Sequence, residues 1–568
     1  MNHHPHDTGF VTGILDRVPL RVSGFVERAY SRLYADQGRQ AANQYLLGVS
    51  ELADGKRFLN VDDSALRARA EREAGRCRGM TLEVGEAYLA GFGLNLPVAE
   101  TEAGVLARLA CPLWWTRALI RRHDRETEHF SIQVGVVRKG VQAYCSNALL
   151  DRVLQRHASA MAMMASWEAV SDEGDTLPLL DVLKGSTANP EVRRAELMVR
   201  MRGFEHYANE QDHVARFYTL TCPSKFHRYS GSALNPHYQN ATPKEAQAYL
   251  CSVWARIRAS LKRDGLNVYG FRVAEPHHDA CPHWHLLLFM DPEQADAVTA
   301  AMRHHALRED GDEPGAAEHR FKVEAIDPAK GSATGYIAKY ISKNIDGFGV
   351  GTDEETGEDA GDSARRVRAW ASVWGIRQFQ QIGGAPVGVW RELRRLNAAA
   401  APDGLLEDAR QAADSGDWAA YLHLQGGADA NRKDQPIRIY TMEAVNPETG
   451  EVISNRYGEF ISRVKGLALN DIPAIETRIK VWTIQPKAEV RNDKLVMPEA
   501  RADYSLMNAV LASVRDVFFQ AEGRSSPPWS PVNNCTEPAA DDADDYARAE
   551  RAAIVWESIR SQSQAVAA

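Results

Sequence analysis

Residues 268–290, VYGFRVAEPHHDACPHWHLLLFM, decide how this chain is read. Residues 268–275 are strand-like, the polar segment 276–282 is a turn, and residues 283–290 are a second apolar strand, so the two runs predict a hairpin. Side chains two apart on a strand share a face, so His283 and His285 project one way and Trp284 the other. The hairpin can bring Glu275, at the end of the first strand, beside both imidazoles. Two imidazoles and a carboxylate on one surface are three ligands of a divalent-metal site with open positions. Mixed nitrogen and oxygen ligation suits Mn²⁺ and can hold Mg²⁺, with water and a phosphate oxygen in the open positions.

The neighbouring segments extend this hairpin into a layered unit. Upstream, Phe217-Tyr-Thr-Leu-Thr221 alternates as a strand and is ended by Pro223-Ser224. Residues 243–263 predict a helix with Thr242 as N-cap and Pro243 at its first position. Downstream come a helix at 292–307, a strand at 320–326 and a helix at 334–345. The expected fold class is α+β, a central antiparallel sheet with packed helices, flanked by mainly helical N- and C-terminal regions.

The last of those helices carries a second constellation. Tyr336 and Tyr340 are four apart and share a helix face. Ile337, Ile341 and Ile345 form the neighbouring apolar stripe, and Lys339 and Lys343 flank the tyrosines on the other side. A phenol, with a pKa of about 10, is a weak nucleophile. It needs an activated phosphate as target and a cation near its oxygen, and Lys339 is the candidate for that cation.

Each pair is weak alone. In a chain with 18 His and 18 Tyr, a His-x-His or Tyr-x-x-x-Tyr pair arises by chance roughly half a time each. His4-Pro-His6 and Tyr30…Tyr34 are such background pairs. What carries weight is the order: strand, acid, turn, His-x-His strand, then a tyrosine helix. His277 and His278, which could replace Glu275 as ligand, read as turn residues or substrate contacts. Cys281 reads as a turn residue, because no partner cysteine has metal spacing.

The bulk numbers bound the remainder. The 568 residues suffice for about three or four domains. A net charge of −9 means that any nucleic-acid contact must come from local basic patches. Seven scattered cysteines without a Cys-x-x-Cys pair fit a reducing cytosol. No apolar run is long enough to span a membrane, the first residues lack a secretory pattern, and no repeat or Gly-x-x-x-x-Gly-Lys-Ser/Thr loop occurs. Residues 1–75 read as an N-terminal helical region, 76–205 as a second domain and 206–346 as the catalytic domain. Residues 347–364 read as an acidic Gly-rich linker. Residues 365–525 read as a helical region with a β-hairpin. Within it two helices join at Gly383-Gly384, and the hairpin spans 437–453 with Asn446-Pro-Glu-Thr-Gly450 as its turn. Residues 526–568 read as a disordered tail with a short helix at 546–559.

The ordered set Phe217-Tyr-Thr-Leu-Thr-Cys-Pro-Ser224, Glu275…His283-Trp-His285 and Tyr336-Ile-Ala-Lys-Tyr340 resembles the three motifs of HUH rolling-circle replication endonucleases. Trp114-Trp115, Asn189-Pro190 with Arg193-Arg194, and Trp370-Ala-Ser-Val-Trp-Gly-Ile-Arg-Gln-Phe-Gln-Gln-Ile-Gly-Gly384 extend the likeness to replication gene A proteins of P2-like bacteriophages, over about residues 75 to 395. The resemblance implies a ferredoxin-like catalytic sheet, a divalent metal (Mg²⁺ or Mn²⁺) and a site-specific nick at a phage origin that starts and ends rolling-circle replication. It makes His283, His285 and Glu275 metal ligands, Tyr336 and Tyr340 nucleophiles and Lys339 their assistant. It gives Thr219, Thr221, Ser224 and Lys343 to the DNA-binding surface. The implied partner is single-stranded origin DNA in the cytoplasm of a bacterial host. A host helicase and polymerase are further expected partners that no residue specifies. A two-tyrosine transposase or plasmid relaxase acting on other DNA ends shares the chemistry and stays open as the alternative.

Overall fold

The computed structural model describes residues 5–487 apart from 232, 354–355, 397–403, 447–448 and 470–471. Its α+β centre is an antiparallel sheet of β1 (Val214–Thr221), β2 (Tyr269–Pro276), β3 (Pro282–Met290), β4 (Phe321–Ala325) and β5 (Phe379–Ile382). Their spatial order is β4-β1-β3-β2-β5. Helices α1 (Pro190–Glu210), α2 (Pro243–Arg263), α3 (Ala295–Ala306), α4 (Ala333–Ile345) and α5 (Ala360–Trp374) cover its two faces.

Strand alternation sorts the side chains of β3 between two cores. Trp284, Leu286, Leu288 and Met290 enter one core with α2, α3 and α5, while Leu287 and Phe289 enter the other with α1 and α4. Burial on both faces is why β3 reads as an unbroken apolar run after its histidines. Each buried Leu or Phe there contributes roughly 1.5–3 kcal/mol. The one polar atom of Trp284 is satisfied, its Nε1 donating to Gln247 Oε1 at 3.0 Å. Helix α2 begins as expected, with Thr242 and Glu245 closing a reciprocal capping box.

The hairpin register fixes the site. Glu275 pairs with His283 and Val273 with His285 across β2 and β3. On the other flank β1 sets Thr221 against His283 and Thr219 against His285. At the end of the hairpin remote from its turn, Gly270 pairs with Leu288 at φ 148°, where an added Cβ would stand 2.0 Å from the Leu287 carbonyl oxygen.

N-terminal to the sheet, helices Leu20–Ala53, Asp63–Arg76 and Pro112–Gln133 build two further apolar clusters. The last of these gives Phe130 to one and Trp115 to the other.

Two local expectations are corrected. Residues 365–396 do not form two helices joined at the glycines. Helix α5 ends at Gly375, which takes the left-handed conformation, and Phe379–Ile382 then pairs with Gly270–Val273 as the edge strand β5. Four residues with two glutamines carry no strand period of their own, so the pairing comes from the exposed backbone edge of β2. Strand Ile437–Glu443 likewise takes Ser462–Leu469 as its main partner. The expected turn closes a shorter ladder, with Val445 bridged to Val452, Asn446 N donating to Glu451 O at 2.8 Å and Ile453 N to Ala444 O at 2.6 Å. Helix α5 also starts at residue 360, inside the span read as a linker. The tail at 526–568 and its short helix lie outside the described residues.

Candidate active site

Glu275, His283 and His285 are nearly fully buried and offer ligand atoms that all lie within 4.8 Å of one another. His285 Nε2 is 3.5 Å and His283 Nε2 3.8 Å from Glu275 Oε2. Ligands around an ion with bonds of about 2.1 Å stand roughly 3–3.5 Å apart, so the two imidazole contacts to Glu275 lie close to the spacing that one cation imposes. The donor set, two imidazole nitrogens and one carboxylate oxygen, suits a divalent ion.

Hydrogen bonds hold His285 and Glu275, whereas the buried His283 Nδ1 has no hydrogen-bond partner among the described residues. Thr219 Oγ1 meets His285 Nδ1 at 3.1 Å, which turns Nε2 toward Glu275. Asn344 Nδ2 donates to Glu275 Oε1 and also to the Tyr340 carbonyl oxygen at 2.6 Å. The His277 ring lies 4.0 Å from that of His283. Burial, then the charges of His277, His285 and Lys343, push the His283 pKa well below its ordinary value. Burial also pushes His277 down to about 3. A neutral His283 imidazole keeps the lone pair that a metal needs. Burial raises the Glu275 carboxyl, but hydrogen bonding and charge from His285, with Lys343 and Asn344, hold it below the ordinary range.

Helix α4 brings the tyrosines to this cluster unequally. Its N-terminus is anchored by Glu205 of α1, which accepts from Ala333 N at 2.6 Å and from Thr334 N at 3.2 Å. The stripe Ile337, Ile341 and Ile345 packs on the sheet as its spacing predicts. Tyr340 then lies with its ring 4.2 Å from His285 and 5.3 Å from Phe217. Tyr336, one turn earlier, faces Glu324 of β4, and that negative charge raises its phenol pKa. Lys339 is exposed beside a 420 Å³ cavity lined by Ala338, Ser342, Phe348, Gly349 and Val350.

The residues expected at the DNA surface scatter. Thr219 holds His285, as above. Thr221 is part-buried beside His283, and its N–H donates to Arg320 O. Ser224 is tied to Glu313 through Oγ at 2.6 Å. Lys343 is buried, 3.4 Å from Asp353 and over the Tyr144 ring, so it charges the floor of the site rather than its surface. Asn344 was missed, although Tyr336, Tyr340 and Asn344 recur every four residues on one helix face, a signal the spacing carried.

An α+β protein with a His-His-Glu cluster on the central strands of its sheet and a tyrosine helix against it is the class that this fold and site define. The chain belongs to the bacteriophage replication gene A protein family. A family model described as bacteriophage replication gene A protein (GPA) matches residues 96–348. The "Replication gene A protein" of Escherichia phage 186 is 40% identical over 451 residues, 77% of this chain and 60% of that protein. The "Replication protein" of Haemophilus phage HP1 is 40% identical over 449 residues, 77% of this chain and 54% of its own length. A Shigella boydii protein named "Probable replication endonuclease from prophage-like region" is 38% identical over 385 residues, 65% of this chain and 47% of that protein. For the first four relatives the matched part spans only 54% to 66% of their length. No solved structure matches. No helix among the described residues is long and apolar enough to cross a membrane.

Proposed function

We propose that this chain is a DNA-nicking and rejoining endonuclease that starts replication at a phage origin, with Tyr340 as the nucleophile poised at the His-His-Glu cluster. The observation that carries this reading is the 4.2 Å approach of the Tyr340 ring to His285. A phenol that close to the ligand set can reach a phosphodiester seated there. The Tyr340 oxygen attacks phosphorus, a phosphotyrosine bond to the 5′ side forms, and the P–O3′ bond breaks. The 3′ oxygen takes up the proton that the phenol gives up, leaving a free 3′-OH to prime a polymerase. Lys339 supplies positive charge near the phenol and phosphate oxygens. The linkage conserves the bond energy, so no nucleotide cofactor is needed for rejoining.

His283, His285 and Glu275 would hold Mg²⁺ or Mn²⁺, which when bound supplies positive charge to the scissile phosphate. Thr219 and Asn344 orient two of those ligands. Tyr336, with Glu324 opposing its ionisation, would act second, on the origin regenerated after one round of rolling-circle synthesis. In this reading the five-stranded sheet is the ferredoxin-like sheet of the HUH nucleases, and the substrate is single-stranded origin DNA.

A labelled single-stranded origin oligonucleotide, incubated with Mn²⁺, should give a covalent protein–DNA adduct that EDTA prevents. Tyr340→Phe should abolish the first adduct, and Tyr336→Phe should spare it. An adduct of undiminished yield in the Tyr336→Phe, Tyr340→Phe double variant would sink the tyrosine mechanism.

A further inference from the structure

With an overall charge of −9, a nucleic acid has to be met by a local concentration of cations. One stands at the β5 edge of the sheet. Helix α1 lies along that strand. The Arg193 guanidinium is 5.1 Å from the centre of the Phe379 ring, and Arg200 Nε donates to Gln381 Oε1 at 3.1 Å. Arg377 leads into β5, Arg368 is on α5, and Arg391 is on the following helix, Val387–Leu393. The charges of Arg368, Arg377 and Arg391 all act on Arg193, and those of Arg391 and Arg377 act on Arg200.

The acids nearby are occupied. Glu196 is held by Arg391 at 2.7 and 2.6 Å, and Arg200 stands 3.5 Å from it. Asp346, which also acts on Arg368, is bound by Arg194 at 2.9 Å. Arg368 has no hydrogen bond or ion pair among the described residues, and its Nε is buried. Arg193 has the Phe379 ring and no carboxylate within ion-pair distance among the described residues. Arg193 and Arg368, part-buried and repelling one another with no ion pair of their own among the described residues, cost free energy that an anion relieves. Their planar forks suit phosphate.

The cluster adjoins the proposed nuclease site. Phe379 pairs with Val273, and Ala274 N donates to Gln378 O at 2.7 Å. Continuing that register brings Arg377 level with Glu275 on the neighbouring strand. Helices α1 and α5 both pack on α4, the tyrosine helix. We propose that Arg193, Arg368 and Arg377 form a binding site for backbone phosphates of the single strand that is cut beside Tyr340. The identity of the phosphate carrier rests on the nuclease reading, whereas the cationic site itself does not.

The test uses the full chain and a short fluorescein-labelled single-stranded oligonucleotide in EDTA, with affinity followed by anisotropy against salt. Arg193→Gln with Arg368→Gln should weaken binding about 10-fold and flatten the logarithmic salt slope by about 1.4, at about 0.7 per phosphate contact. Arg193→Lys with Arg368→Lys keeps the charges, so it should retain the slope and lose affinity only several-fold. This pair serves as the measurement if the glutamine pair does not fold. An unchanged affinity and slope in the glutamine pair, or a flattened slope in the lysine pair, overturns the proposal. Displacement of the oligonucleotide by inorganic phosphate beyond that by chloride of equal ionic strength would assign the site to free phosphate, and overturn it too. Tyr340→Phe should bind the oligonucleotide like the wild type in EDTA while giving no adduct in Mn²⁺. Failure of the nuclease reading therefore appears in the adduct and failure of the arginine site in the salt slope.

Discussion

Thr219 shows how much of the proposed metal site can rest on a residue outside its ligand set. Its hydroxyl fixes the His285 ring at 3.1 Å, and without it the ring is free to rotate or change tautomer. Thr219→Val keeps the volume and the strand. It should lower Mn²⁺ affinity about 10–100-fold by calorimetry while the circular dichroism spectrum stays unchanged. Unaltered affinity would remove Thr219 from the site. Lys339 makes the converse case, exposed and outside the His-His-Glu cluster. Lys339→Ala should leave Mn²⁺ affinity alone and slow adduct formation on the order of 100-fold, as loss of a charge-stabilising donor does. An equal loss in metal affinity would mean that Lys339 acts through the ligands instead.

At the scale of elements, the site depends on the β2–β3 register, and Gly270 is where that register is most exposed to disruption. At φ 148°, with the Leu287 oxygen 2.0 Å from where a Cβ would be, no other L-residue fits without moving the strands. Gly270→Ala should destabilise by roughly 2–5 kcal/mol, combining backbone strain and overpacking, read as a fall in Tm. A Tm within a degree or so of wild type would mean that the hairpin yields there at little cost. The same scale explains why β5 was misread. The residues Phe-Gln-Gln-Ile have strand form only because β2 offers them an unpaired edge, and that edge is distant in sequence.

At the scale of the whole molecule, long-range ion pairs join remote segments. Arg108, on helix Glu102–Leu109, grips Glu459 at 2.9 and 2.7 Å across 351 residues of chain. Hydrogen bonding to Arg108 outweighs burial and holds the Glu459 carboxyl down at about 2, against 4.5 in a free chain. A depressed carboxyl pKa stabilises the fold above the unfolded value and loses that contribution as the pH falls through the folded one. Water screens part of this interaction, so Glu459→Gln should cost on the order of 1 kcal/mol at pH 7. The Tm gap between variant and wild type should close as the pH falls from about 5 toward 2. A gap that stays constant over that range would mean that Glu459 acts by packing alone.

Local pattern determined the segments with strong periods. These are the β2–β3 hairpin, the capped helix α2, the apolar stripe of α4, and the placing of two histidines on one strand face. Period 2 and period 3.6 are properties of neighbouring residues, so they can be read without a partner. The fold decided what depends on partners far along the chain. It set the sheet order, the seating of Tyr340 rather than Tyr336 at the cluster, and the burial of Lys343 against Asp353. It also turned Thr219 to support His285 and joined Asn344 to Glu275. Hydrogen bonds and charges act through space over a few ångströms, and only the packed chain brings residues 219, 275, 285, 340 and 344 within that range.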